Sequence, residues 1–131
     1  MRRIGIIAGL IALACVGPAS SQDSKIYAAL NANYEGNLQV RWGATAVEAK
    51  QRATDACKQV SQTCASDPAF TNVLDDVFIY YCCTAPGLSC AAPPHESRER
   101  ALEEAQSMMA ARGFSACAPR AFYSARTGGK L

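Results

Sequence analysis

Leu38, Val40 and Trp42 alternate with Gln39 and Arg41, which is the period of a strand with one buried face. Residues 25–32 (KIYAALNA) form a shorter strand-like run before it, and Asn33-Tyr34-Glu35-Gly36-Asn37 between the two has the composition of a hairpin turn. The period then lengthens. Ala46, Ala49, Ala53, Ala56, Cys57 and Val60 recur at helical spacing behind Thr45-Ala46-Val47-Glu48, a capping box whose hydroxyl and carboxylate satisfy backbone N–H groups at a helix start. So small an inner face predicts a helix lying close to a sheet, with Cys57 in its last turn.

Residues 61–72 read as a short or irregular strand. Residues 77–84 (VFIYYCCT) do not alternate at all; crowded with β-branched and aromatic side chains, they predict the central strand, with Cys82 and Cys83 on opposite faces. Ala85-Pro86-Gly87 turns the chain, residues 88–92 pair back briefly, and Pro93-Pro94 ends that run. A second helix over 97–112 presents Ala101, Leu102, Ala105, Met108 and Met109 inward and stops at Gly113. Residues 114–124 form the last strand region, and the tail through Gly128-Gly129 is expected to fray.

The two halves, about 25–72 and 76–124, repeat a strand, a turn, a small-faced helix and a Cys-to-Phe segment: Cys64 to Phe70, then Cys117 to Phe122. The expected class is α+β: an antiparallel sheet with two helices on one face, as a ferredoxin-like duplicated β-α-β with an N-terminal hairpin, stabilised by disulfides.

The N-terminus changes the compartment. Met1-Arg2-Arg3, an apolar run over 4–16 and Gly17-Pro18-Ala19-Ser20-Ser21 make the three parts of a secretory signal peptide, with cleavage after Ala19 or Ser21. The run is short of the ~20 residues that span a bilayer. Residues 1–21 are thus read as leader and 22–131 as one disulfide-stabilised domain, periplasmic or secreted. Cys15, in Ala12-Leu13-Ala14-Cys15, partly matches a bacterial lipoprotein box, although Leu13 sits two places before it instead of three. A membrane enters only if Cys15 is lipidated.

Of the 7 cysteines, setting Cys15 aside leaves Cys57, Cys64, Cys82, Cys83, Cys90 and Cys117, an even set that reads as a disulfide framework in an exported chain. Turn positions favour Cys57 with Cys64, one of Cys82 and Cys83 with Cys90, and the other with Cys117. The net charge of +2 includes Arg2 and Arg3, so the domain itself is balanced and nothing points to nucleic acid. No cofactor or metal is expected, since the cysteines lack paired C-x-x-C spacing.

Tyr27-Ala28-Ala29, the Trp42-Gly43 step, the helical Ala49, Ala53 and Ala56-Cys57, and then Cys64 resemble domain-of-unknown-function family 4189. These are small exported bacterial domains with a Y-G-A-I-A strand, a W-G step and an A-x-x-x-A…C helix. The likeness covers residues 27–90; Ala28 replaces the glycine, and a second helical unit follows Cys90. It implies export, disulfides and α+β structure, and no catalytic residues. Some such domains occur beside secreted antibacterial effectors as candidate immunity proteins.

The residues carry little reactive chemistry. His95 is the single histidine and follows Pro93-Pro94, a helix-mouth position where polar residues act as caps; a Cys/His hydrolase would need a free thiolate beside it. Redox exchange more usually shows C-x-x-C at a helix start. The carboxylate pairs Glu103/Glu104 and Asp75/Asp76 read as solvated positions or caps rather than a glycosidase pair. Among the aromatics, Trp42, Phe78, Tyr80, Tyr81, Phe122 and Tyr123 belong to sheet and core, whereas Tyr34 at the hairpin tip has little core to enter. These features favour a non-enzymatic module that binds another envelope or secreted protein, of inhibitor or immunity type, through Tyr34, Glu35, Gly36 and Leu88. A small hydrolase using His95, or a secreted effector or structural component, is the alternative.

Overall fold

The computed structural model describes residues 25–131; the leader, its cleavage site and Cys15 lie outside the described residues. The elements run β1 (Tyr27–Leu30), β2 (Val40–Gly43), α1 (Ala46–Val60), β3 (Ala69–Thr71), β4 (Val77–Ala85), β5 (Ser89–Ala91), β6 (Pro94–His95), α2 (Arg98–Ala111) and β7 (Ser115–Ser124). Among the described residues no helix is long and apolar enough to cross a membrane.

Both helices begin on hydroxyl caps. Thr45 Oγ1 accepts from Glu48 N at 3.1 Å, and Ser97 Oγ accepts from Arg100 N at 3.2 Å. The Glu48 carboxylate in turn accepts from Ala44 N at 2.6 Å, one residue earlier than a standard capping box. Gly43 is required by the close approach of α1: a Cβ there would stand 2.7 Å from Ala49 N and 2.9 Å from the Glu48 side chain.

The strands divide into two antiparallel sheets. The first has the order β2-β1-β3; in the second, β4 takes β5 and β6 along one edge and β7 along the other. Registers in the two halves correspond. Ala28, Ala29 and Leu30 face Thr71, Phe70 and Ala69, as Phe78, Ile79 and Tyr80 face Tyr123, Phe122 and Ala121. Each half thus sets its first strand in the middle, flanked by the second strand and by the strand after the helix. Even the outward phenylalanines match, each with a cation above the ring: Lys50 Nζ at 5.0 Å from Phe70 and the Arg98 guanidinium at 5.4 Å from Phe122.

The α+β class, the antiparallel pairing, two helices and three disulfides are all present. The layering differs from one ferredoxin-like sheet with both helices on the same face. Ala29 packs against Ala49 and Ala53 of α1, whereas Ile79, Tyr81 and Cys83 pack against Ala101, Ala105 and Met109 of α2. Between the sheets Ala28, Leu30 and Val40 meet Phe78, Tyr80, Cys82 and Tyr123. The order of layers is therefore α1, first sheet, second sheet, α2. The reason lies in β1 and β4, which are apolar on both faces, so each sheet takes its own helix on one side and the other sheet on the second.

The tail folds back instead of fraying. Ser124 N donates to Gly129 O at 2.9 Å and Leu131 N to Phe122 O at 2.8 Å, while Trp42 Nε1 donates to Ala125 O at 2.8 Å and ties the tail to the first sheet.

The disulfides are Cys57–Cys64, Cys82–Cys90 and Cys83–Cys117, with separations of 7, 8 and 34 residues. Cys82 faces Cys90 and Cys83 faces Cys117 directly across neighbouring strands, so the adjacent cysteines bolt β4 to both neighbours from opposite faces. Loop closure makes the 34-residue link worth about 4 kcal/mol and the 7-residue link about 2.5 kcal/mol. Accordingly, the Cys83→Ala/Cys117→Ala pair is expected to melt roughly 5 °C below the Cys57→Ala/Cys64→Ala pair in calorimetry; equal melting temperatures would refute that ranking.

Candidate functional site

The hairpin tip is built from two buried asparagines. Asn33 is fully buried; its Oδ1 accepts from Glu35 N at 3.0 Å and Asn37 N at 3.2 Å, and its Nδ2 donates to Asn37 O at 3.0 Å. The side chain thus closes the five-residue turn upon itself, as asparagine does in turns. Gly36 completes it with a φ of +81°, a conformation that disfavours other residues.

Three further bonds hold the turn from outside. Tyr80 OH, from the second sheet, donates to Asn33 O at 2.6 Å; Tyr34 N donates to Thr63 Oγ1 at 3.0 Å; Asn37 Nδ2 donates to Val60 O at 3.2 Å. Asn31 extends the network, with Ala65 N donating to its Oδ1 at 2.7 Å and its Nδ2 donating to Ala65 O at 2.9 Å. The 57–64 disulfide anchors that opposing loop. Tyr34, 40% exposed, and the exposed Glu35 stand on this frame, and Glu35 has no ion-pair partner among the described residues. Leu88 is 41% exposed on the separate β4–β5 turn, in the other sheet.

The other residues with possible chemistry lie apart. His95, on the short edge strand β6, has Nδ1 accepting from Glu96 N at 2.9 Å. Glu103 pairs with Arg100 at 3.4 Å and Asp75 with Arg126 at 2.8 Å, while Asp76 accepts from Thr71 Oγ1 at 2.6 Å. Glu104 borders an open groove of about 510 Å³ between the sheet edges. All six cysteines described are in disulfides, and among the described residues no group of three His, Cys, Asp or Glu is placed to hold a metal ion.

Tyr123, buried between the sheets, has its phenol pushed above the ordinary value of 10.0, by desolvation first and by the neighbouring Tyr80 second. No protein-family model matches this chain, and neither a curated protein nor a solved structure matches it.

Turn composition included Asn33 but not its role as the buried side chain that closes the turn, and it did not include Asn31. The signal for the pair is an asparagine at each end of Asn31-Ala32-Asn33, where alternation places both on one face of an extended segment. Asn33→Ala removes three turn bonds and leaves the Glu35 and Asn37 amides unpaired, so a loss of about 2–3 kcal/mol is expected in denaturant unfolding. Hydrogen exchange should quicken first at residues 34–37; unchanged exchange there would mean that Asn33 does not hold the turn.

The Tyr123 shift gives a sign to alkaline stability. With the folded phenol titrating above the unfolded one, the unfolded chain releases its proton first as pH passes 10.0, and stability falls from there upward. Tyr123→Phe should flatten this fall in unfolding curves taken across that range, and an unaltered slope would assign it to other groups.

Proposed function

We propose that this chain is an exported, non-enzymatic binding module, periplasmic or secreted, that engages another envelope or secreted protein through its Tyr34-Glu35-Gly36 turn. The observation that carries the reading is the immobilisation of that turn by Asn33, Tyr80 and Thr63 while Tyr34 stays 40% exposed. An exposed aromatic on a loop ordered before binding loses little conformational entropy when it is covered, and tyrosine is enriched among the anchors that dominate interfaces. A rigid protruding turn on a disulfide-linked body suits an inhibitor or immunity role, in which the turn enters a cleft of the partner. The N-terminal leader pattern and the three disulfides support export.

Immobilised mature protein is expected to retain a partner from periplasmic extract or culture medium of the producing bacterium. Tyr34→Ala should keep its melting temperature and bind that partner about 2 kcal/mol more weakly, roughly thirtyfold in Kd. Equal retention by the variant and the parent would remove the turn from the interface.

A further inference from the structure

The groove of about 510 Å³ has two walls of different chemistry. One is β3, the end strand of the first sheet; among the described residues its outer edge has no backbone partner. The floor follows the β5–β6 segment along the edge of the second sheet. Opposite β3, Glu104, Met108 and Arg112 line the groove from α2 and its C-cap, at the i, i+4, i+8 positions of one helix face.

Charge along this stripe is uncompensated. Asp67 at the rim is paired with Lys50 at 3.2 Å, but neither Glu104 nor Arg112 has an ion-pair partner among the described residues. Eight residues of helix separate them by about 12 Å. Side chains four residues apart on one face of an extended strand are separated by about 13 Å. The two spacings agree, with Met108 midway on the helix and position i+2 midway on such a strand.

We propose that this groove receives an extended segment of a partner protein, added as a strand to the free edge of β3. The segment carries Lys or Arg opposite Glu104, Asp or Glu four residues away opposite Arg112, and an apolar residue between them. Main-chain bonds to an open edge supply sequence-independent affinity, and side chains on alternate positions supply selectivity. The inference rests on the protein-binding reading but uses a surface that does not include Tyr34.

The test is selection of random short peptides, displayed on phage, against the immobilised, oxidised mature chain. Enriched peptides should share a basic residue four positions from an acidic one. They should slow amide exchange at residues 69–71 and bind Glu104→Lys and Arg112→Glu at least tenfold more weakly. Both substitutions are on exposed positions, Glu104 in the middle of the helix and Arg112 at its C-cap, and unchanged melting temperatures will show that each variant is folded. Glu104→Lys should in turn select peptides with acidic residues at both positions. No enrichment, enrichment without this spacing, or binding indifferent to both reversals overturns the proposal. Tyr34→Ala should leave peptide binding unchanged: peptides that require Tyr34 would sink the groove and spare the turn, whereas groove binding with undiminished partner capture by Tyr34→Ala would do the reverse.

Discussion

Strand β4 buries both of its faces, and each face carries one half-cystine. Phe78, Tyr80 and Cys82 enter the core between the sheets, while Ile79, Tyr81 and Cys83 lie beneath α2. Few strands in so small a domain are covered on two sides, and antiparallel sheets commonly leave one face to water. The arrangement commits the chain to four layers. It also accounts for the two adjacent cysteines: the pleat aims them to opposite faces, Cys82 linking β4 to β5 from the inner face and Cys83 linking it to β7 from the face beneath α2.

The same strand supports the turn. Tyr80 reaches out of the inner core to bond Asn33 O in the turn between β1 and β2, and a domain of this size gains rigidity at a loop when the loop is tied to another layer. Trp42 makes the converse link, from the first sheet to the returning tail at Ala125. Tyr34 therefore stands on a turn tied to another layer, and the cost of ordering that loop has already been met in folding.

Duplication and its failure define the remaining surface. The two halves share strand order and register down to the cation above each outward phenylalanine. They differ at their edges. In the second half the segment after β5 runs on into β6 and fills the rest of one edge of β4, whereas β3 ends its sheet after three residues. The groove lies where these unequal edges face each other.

Local patterns determined most elements, because side-chain spacing and caps report local geometry: the alternation at 38–42, the capped helix at Thr45, the two-faced run at 77–84 and the helix after Ser97 lie about where they were legible, whereas Pro94 and His95, read as the end of a strand and a helix mouth, pair with β4 as β6. Cysteine positions relative to turns favoured Cys57 with Cys64, one of Cys82 and Cys83 with Cys90 and the other with Cys117 among the pairings that six cysteines allow; strand register decided it, setting Cys82 opposite Cys90 and Cys83 opposite Cys117. The number of sheets was not legible. An apolar face seeks cover without specifying whether a helix or a second sheet supplies it, so only packing showed one helix on each outer side. The folded-back tail, the asparagine frame of the turn and the groove were hidden for the same reason: each depends on contacts between residues far apart in the chain, such as Trp42 with Ala125 and Asn33 with Tyr80, which local patterns do not encode.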